Sequence, residues 1–145
     1  MIGQSFESSN PILGTVTALG DPTLEDSQAL ALTAAQTADD RQGGNIVCLN
    51  VGGVSILADF FLFVSGYSTT QVRAIASAIK DTVLEQHGRL PDRIEGLQAG
   101  TWILLDYGDV IVHVQLDSER EFYDLEAFWA HAPRVELALD PQVPS

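Results

Sequence analysis

A chain of 145 residues, 46% of them apolar, has the size of one compact domain and can bury a core without disulfides or structural metals. Twenty acidic against seven basic side chains leave a formal charge of -13, which repels phosphate; direct DNA binding is excluded and a basic protein partner fits better. No apolar run approaches the roughly 18 residues that span a bilayer, and MIGQSFESSNPILGTVTALG lacks the cationic start and continuous apolar stretch of a secretory signal, so a cytoplasmic, non-membrane protein is expected.

Residues 1–22 are rich in Ser, Gly, Thr and Pro without periodicity and read as a flexible tail. The folded domain is expected over 23–132. From Leu24 to Arg41 the Ala-rich segment LEDSQALALTAAQTADDR predicts a helix that QGG stops. NIVCLNV and FFLFVSG, short, apolar and rich in β-branched or aromatic residues, predict two buried strands, with a helical turn in the GGVSILAD connection. The single cysteine, Cys48, lies in the first of these runs without a cationic neighbour, so a buried inert thiol is expected.

STTQVRAIASAIKDTVLEQHG is the clearest helix: Val72, Ile75, Ala76, Ile79, Val83 and Leu84 recur at helical spacing between a Ser/Thr cap and Gly88. SGYST ahead of it could present amides to an anion, but capping explains it better, because no glycine-rich phosphate motif or Walker lysine accompanies it. Ser65 and Ser68 lack the G-x-S-x-G context of a nucleophile. LPDRIEG predicts a short strand. TWILLDYGDVIVHVQL then predicts a hairpin turning at Gly108-Asp109, with 107 opposite 110, 105 opposite 112 and 103 opposite 114. One face becomes Ile103, Leu105, Tyr107, Val110, Val112 and Val114, and must meet helices. The other carries Trp102, Leu104, Asp106, Ile111, His113 and Gln115, a mixture that suits an interaction surface. In this register Asp106 and His113 are diagonal neighbours, close enough for a hydrogen bond.

In DSEREFYDLEAFW, Ser118 and Glu121 have capping-box spacing and Phe122, Leu125 and Trp129 share one stripe, predicting a final helix. Residues 133–145, with three prolines, read as an extended tail. The order of elements predicts a single-domain α/β fold, a mixed sheet of about five strands with helices packed on it. Between Asp106 and Glu126 the acid is dense (Asp106, Asp109, Asp117, Glu119, Glu121, Asp124, Glu126) against one base, Arg120. A metal site would need a third converging ligand, and His87 and His131 show no ligand spacing.

ADFFLFVSGYSTTQVRAIASAIKD, RIEG, TWILLDYGDVIVHV and REFYDLEAFW together resemble the ribosomal silencing factors, also called the Iojap-like family, over roughly residues 25 to 132. The resemblance implies an α/β fold distantly similar to nucleotidyltransferases, without established catalysis or cofactor, commonly a homodimer when free. It also implies binding to the large ribosomal subunit through ribosomal protein L fourteen. Subunit joining is then blocked and translation repressed when nutrients are scarce, with a further association with large-subunit maturation. Nucleotidyltransferases need a G-S pair followed by D-x-D, and SGYSTTQ stands here instead. By motif, the implied partner-binding residues are Trp102 as aromatic anchor, Leu104 beside it, Asp106 and Asp109 as carboxylates for Lys or Arg, His113, and Arg120, Tyr123 and Glu126 from the last helix. Trp102, Leu104 and Tyr123 also fit core or dimer contacts, and Asp109 fits a plain turn residue. The alternative is a nucleotidyltransferase-like, metal-dependent enzyme using Asp106, Asp109 and His113.

Overall fold

The computed structural model describes residues 22–139. The tail expected over 1–22 therefore lies, apart from Pro22, outside the described residues, as do positions 140–145. Helix α1 (Leu24–Asp40) opens with a capping box: Thr23 Oγ1 accepts from the Asp26 amide at 3.0 Å while the Asp26 carboxylate accepts from the Thr23 amide at 3.3 Å. Half of its buried residues are alanine (Ala31, Ala34, Ala35, Ala38), and such small side chains let a helix lie close to its neighbours. Strands β1 (Gly44–Asn50) and β2 (Phe60–Gly66) follow, with a turn closed by the Ser55 amide on the Val51 carbonyl between them.

Helix α2 (Thr69–His87) is capped by Ser68, whose hydroxyl accepts from the Gln71 amide at 3.0 Å, and is stopped by Gly88 in the left-handed conformation. Val72, Ile75, Ala76, Ile79 and Val83 form its buried stripe; Leu84, assigned to that stripe from spacing, is instead exposed, being one residue and about 100° beyond Val83. The short β3 (Arg93–Glu95) leads to the hairpin of β4 (Trp102–Asp106) and β5 (Val110–Leu116). Its register is the predicted one, with Ile103 opposite Val114 and Leu105 opposite Val112. Gly108 takes a φ of 91°, which an L side chain resists, and the Tyr107 amide donates to the Val110 carbonyl at 2.9 Å.

The sheet order is β1-β2-β5-β4-β3, parallel between β2 and β5 and antiparallel elsewhere. β2 is buried along its whole length because it lies between β1 and β5 and is covered on both faces, which is why its sequence is continuously apolar. One face, with Phe60, Leu62, Val64 and the hairpin's Ile103, Leu105, Tyr107, Val110, Val112 and Val114, packs on α1 and α2. Each such side chain contributes about 1.5–3 kcal/mol, so this layer is the main source of stability.

Two expectations at the C-terminal end are corrected. The last helix is two short ones, α3 (Asp117–Tyr123) and α4 (Leu125–Phe128), broken at Asp124, which adopts φ 43°. Aspartate tolerates that conformation better than most side chains. The Ser118/Glu121 capping box does not form, because α3 leaves β5 without an intervening loop and Leu116 occupies the cap. The kink takes Phe122 out of the expected stripe to full view of solvent, while Trp129 turns back onto Phe61, with ring centroids 5.2 Å apart. Beyond it the chain is extended and lies along the edge of β1: the Asn50 amide donates to the Pro133 carbonyl and the Val135 amide to the Cys48 carbonyl, each at 2.8 Å. Val135 and Leu137 pack on the core, and the exposed strand edge is thereby covered.

Candidate docking surface

The second sheet face receives Val47, Leu49, Phe61, Phe63, Ile111 and His113, and among the described residues the short α3–α4 unit with Trp129 and Ala132 lies over it. Towards β4 the cover ends. Trp102, Leu104 and Ile111 are half-buried there, with Tyr123 packed on the indole at a centroid distance of 5.1 Å. Phe122, edge-on to Tyr123 at 5.0 Å and 78% exposed, extends this aromatic ledge; Phe128, in α4, is 73% exposed. Neither was singled out from sequence as a contact residue. The available signal was that each precedes a second aromatic, Phe122 before Tyr123 and Phe128 before Trp129.

The indole is held from below. Trp102 Nε1–H donates to His113 Nδ1 at 3.1 Å, and His113 stacks on Phe63, nearly parallel, at 5.0 Å. Burial pushes the His113 pKa down to about 4, so the ring is neutral at physiological pH. With Nδ1 accepting, its proton is on Nε2. The hydrogen bond expected between His113 and Asp106 is absent from the geometry: Asp106 accepts from Arg93 at 3.2 Å and from the Gly108 amide at 2.8 Å. β3 brings Arg93 directly opposite Asp106, and a charged donor outcompetes a buried neutral imidazole for a carboxylate.

Arg120 is 4% exposed, not a surface cation. Its Nε donates to Glu126 at 2.8 Å, its Nη1 to Ser65 at 3.0 Å, and its guanidinium lies over the Phe63 ring. Arg120 and Glu126, both expected as contact residues, thus pair with each other across the Asp124 kink. Asp109, likewise expected as a contact carboxylate, also has internal partners. Its side chain is 8% exposed and is gripped by Arg89 at 2.6 and 3.0 Å and by the Ser27 hydroxyl at 2.5 Å. Burial alone would raise the Asp109 pKa, but hydrogen bonds from Arg89 and Ser27 outweigh it and hold the carboxyl below its ordinary value. This pair joins α1, the segment after α2 and the hairpin turn; a concavity of about 830 Å³ beside it is lined by Ile56, Leu57, Asp59, Leu90 and Asp92 among others.

Asp106, Asp109 and His113 thus face three different partners, and the constellation required by the enzymatic alternative does not assemble. No three His, Cys, Asp or Glu side chains converge on a metal position among the described residues. Asp117, Glu121 and Asp124 are exposed around the ledge, while Arg73, Arg89, Arg93 and Arg120 are occupied with internal carbonyl or carboxylate acceptors. These features define a small acidic α/β domain whose accessible chemistry is an aromatic surface. No helix among the described residues is long and apolar enough to cross a membrane.

Residues 24–144 match the family model described as ribosomal silencing factor during starvation. A ribosomal silencing factor of Halalkalibacterium halodurans is 44% identical over 111 residues, covering 77% of this chain and 94% of the relative. The mouse protein named mitochondrial assembly of ribosomal large subunit protein 1 is 32% identical over 73 residues, 49% of this chain and 32% of its own. A crystal structure of a Chromobacterium violaceum protein superposes with a TM-score of 0.68 at 31% identity, covering 78% of this chain and 92% of that one. The chain belongs to the ribosomal silencing factor family.

Proposed function

We propose that this protein is a non-catalytic translation repressor that docks on the large ribosomal subunit through ribosomal protein L fourteen and sterically prevents small-subunit joining. It acts in the cytoplasm when nutrients are scarce, is a homodimer when free, and also assists large-subunit maturation. The observation that carries this reading is the half-buried indole of Trp102, fixed in one pose beside Leu104 and Tyr123 within a frame of carboxylates. Buried aromatic anchors concentrate binding energy, and surrounding charge selects the partner. With a net charge of -13 and most cations engaged internally, the protein can approach an RNA-rich particle only by meeting a basic polypeptide there. Its acid would then repel the phosphate of an incoming subunit. The name of the mouse relative, which refers to large-subunit assembly, supports the same target.

The test is co-sedimentation of the pure chain with free large subunits, followed by light scattering of subunit joining. The native protein should co-sediment and slow joining. Trp102→Ala should lose about 2 kcal/mol of binding, about 30-fold in affinity, with the fold retained. Unchanged binding by a folded Trp102→Ala variant would remove this surface as the docking site.

A further inference from the structure

The docking reading leaves open why the indole adopts one pose at a half-open sheet edge, and the interior of the second face supplies the answer. Directly across from Trp102 stands Gln115, fully buried, whose amide oxygen and nitrogen both lack a protein hydrogen-bond partner. The indole nonetheless reaches past it to His113, at 3.1 Å. His113 is fixed: 7% exposed, stacked on Phe63 with ring planes 8° apart, and met edge-on by Phe61 at 6.0 Å. Both phenylalanines belong to β2, an interior strand buried along its whole length. The position of the Nδ1 lone pair is therefore set by ring contacts with a strand that is buried along its whole length.

We propose that His113 is a positioning residue for docking: its Nδ1, held by Phe63 and Phe61, selects the Trp102 rotamer that packs against Tyr123 and turns the indole N–H inward. This rests on the reading of the ledge as the docking surface. Two consequences follow from the chemistry. The docked anchor presents only hydrocarbon, because its one polar group is already satisfied inside, so the receptor on the partner is an apolar recess, such as the aliphatic stems of lysine or arginine, with no acceptor placed for an indole. The side chain is also ordered before the partner arrives, so the cost of immobilising it is not charged to binding.

Asparagine carries an amide oxygen close to the place of Nδ1, whereas phenylalanine keeps the ring and removes the acceptor. Binding of the full chain to purified large subunits is measured for the native protein, His113→Phe, His113→Asn and Trp102→Ala, alongside the ¹⁵N–¹H indole resonances. Trp129 serves as the reporter of an intact fold. In His113→Phe the Trp102 indole N–H should shift and exchange faster with solvent, the Trp129 signal should stay, and affinity should fall about tenfold; His113→Asn should restore both. In the native protein the imidazole ¹⁵N shifts should report the neutral ring protonated on Nε2. Native affinity in a folded His113→Phe variant, with Trp102→Ala impaired, overturns the positioning role and leaves the docking surface standing. Native affinity in Trp102→Ala overturns the docking surface itself. Should His113→Phe not fold, finding the proton on Nδ1 in the native ring, or a His113→Asn variant that folds without recovering the indole signal, overturns the proposal.

Discussion

Acidification from pH 7 to pH 5 protonates the His113 imidazole of the unfolded chain, while the folded state still holds it neutral. His113 has a folded pKa of about 4 against an ordinary value of 6.5, because burial penalises the imidazolium. Between those values the unfolded chain binds a proton that the folded chain does not, so stability is full above about 6.5 and falls as the pH drops, levelling off near 4 when the folded ring protonates too. The whole span is worth about 3 kcal/mol, and the part between pH 7 and pH 5 about 2 kcal/mol. With a urea slope of about 1–3 kcal/mol per molar, the midpoint should fall by about 1 M. The assay is urea unfolding at pH 7, 6 and 5, followed by tryptophan fluorescence, for the native chain and for His113→Asn. Every other titrating group is common to both, so the difference in pH slope isolates this ring. The native chain should lose about 2 kcal/mol more than the variant across that interval. Equal slopes would refute the account of His113 as a buried neutral acceptor, whatever the absolute stabilities.

Three further outcomes are expected. Gly96→Ala should destabilise the chain by about 3 kcal/mol in urea or thermal unfolding, since Gly96 sits at φ 86° and a Cβ there would lie 1.9 Å from the Trp102 carbonyl oxygen, a backbone atom that cannot yield without moving the start of β4. Asp109→Asn should cost about 2 kcal/mol by uncoupling Arg89 and Ser27 from the hairpin turn, and it should leave binding to large subunits nearly unchanged if that carboxylate is structural rather than a contact. The Cys48 thiol, 1% exposed and with its pKa pushed by burial up to about 12, should react with an aromatic disulfide reagent only as fast as the core opens; rapid labelling of the native chain at pH 8 would contradict its placement.

The hairpin was legible from residues 101–116 because a glycine demanding positive φ and a strict apolar alternation fix the register together, and no partner element is needed to choose it. α2 was legible for the same kind of reason, a cap, a stripe and a glycine stop within one local stretch. The partners of the polar side chains were not. Asp106 and His113 do share a face as the alternation requires, yet which neighbour each one bonds depended on Arg93 arriving from an edge strand thirteen residues away and on Trp102 lying within reach of the imidazole. Arg120 read as a lone cation in an acidic run, and it is buried against Ser65 and Phe63 of β2.

Local sequence therefore determined the elements up to the last helix, the apolar face of the hairpin, the acid excess and the signature of the family. Those properties depend on backbone geometry and side-chain periodicity over short distances, or on counting. Only the tertiary structure decided which of the candidate residues are reachable from outside: the αL break at Asp124, the docking of residues 133–135 on β1 and the inward turn of Asp109, Arg120 and His113. The reason is that burial and charge pairing are set by elements meeting across the sheet, where a carboxylate or guanidinium takes whichever counter-group the packing brings within about 3 Å.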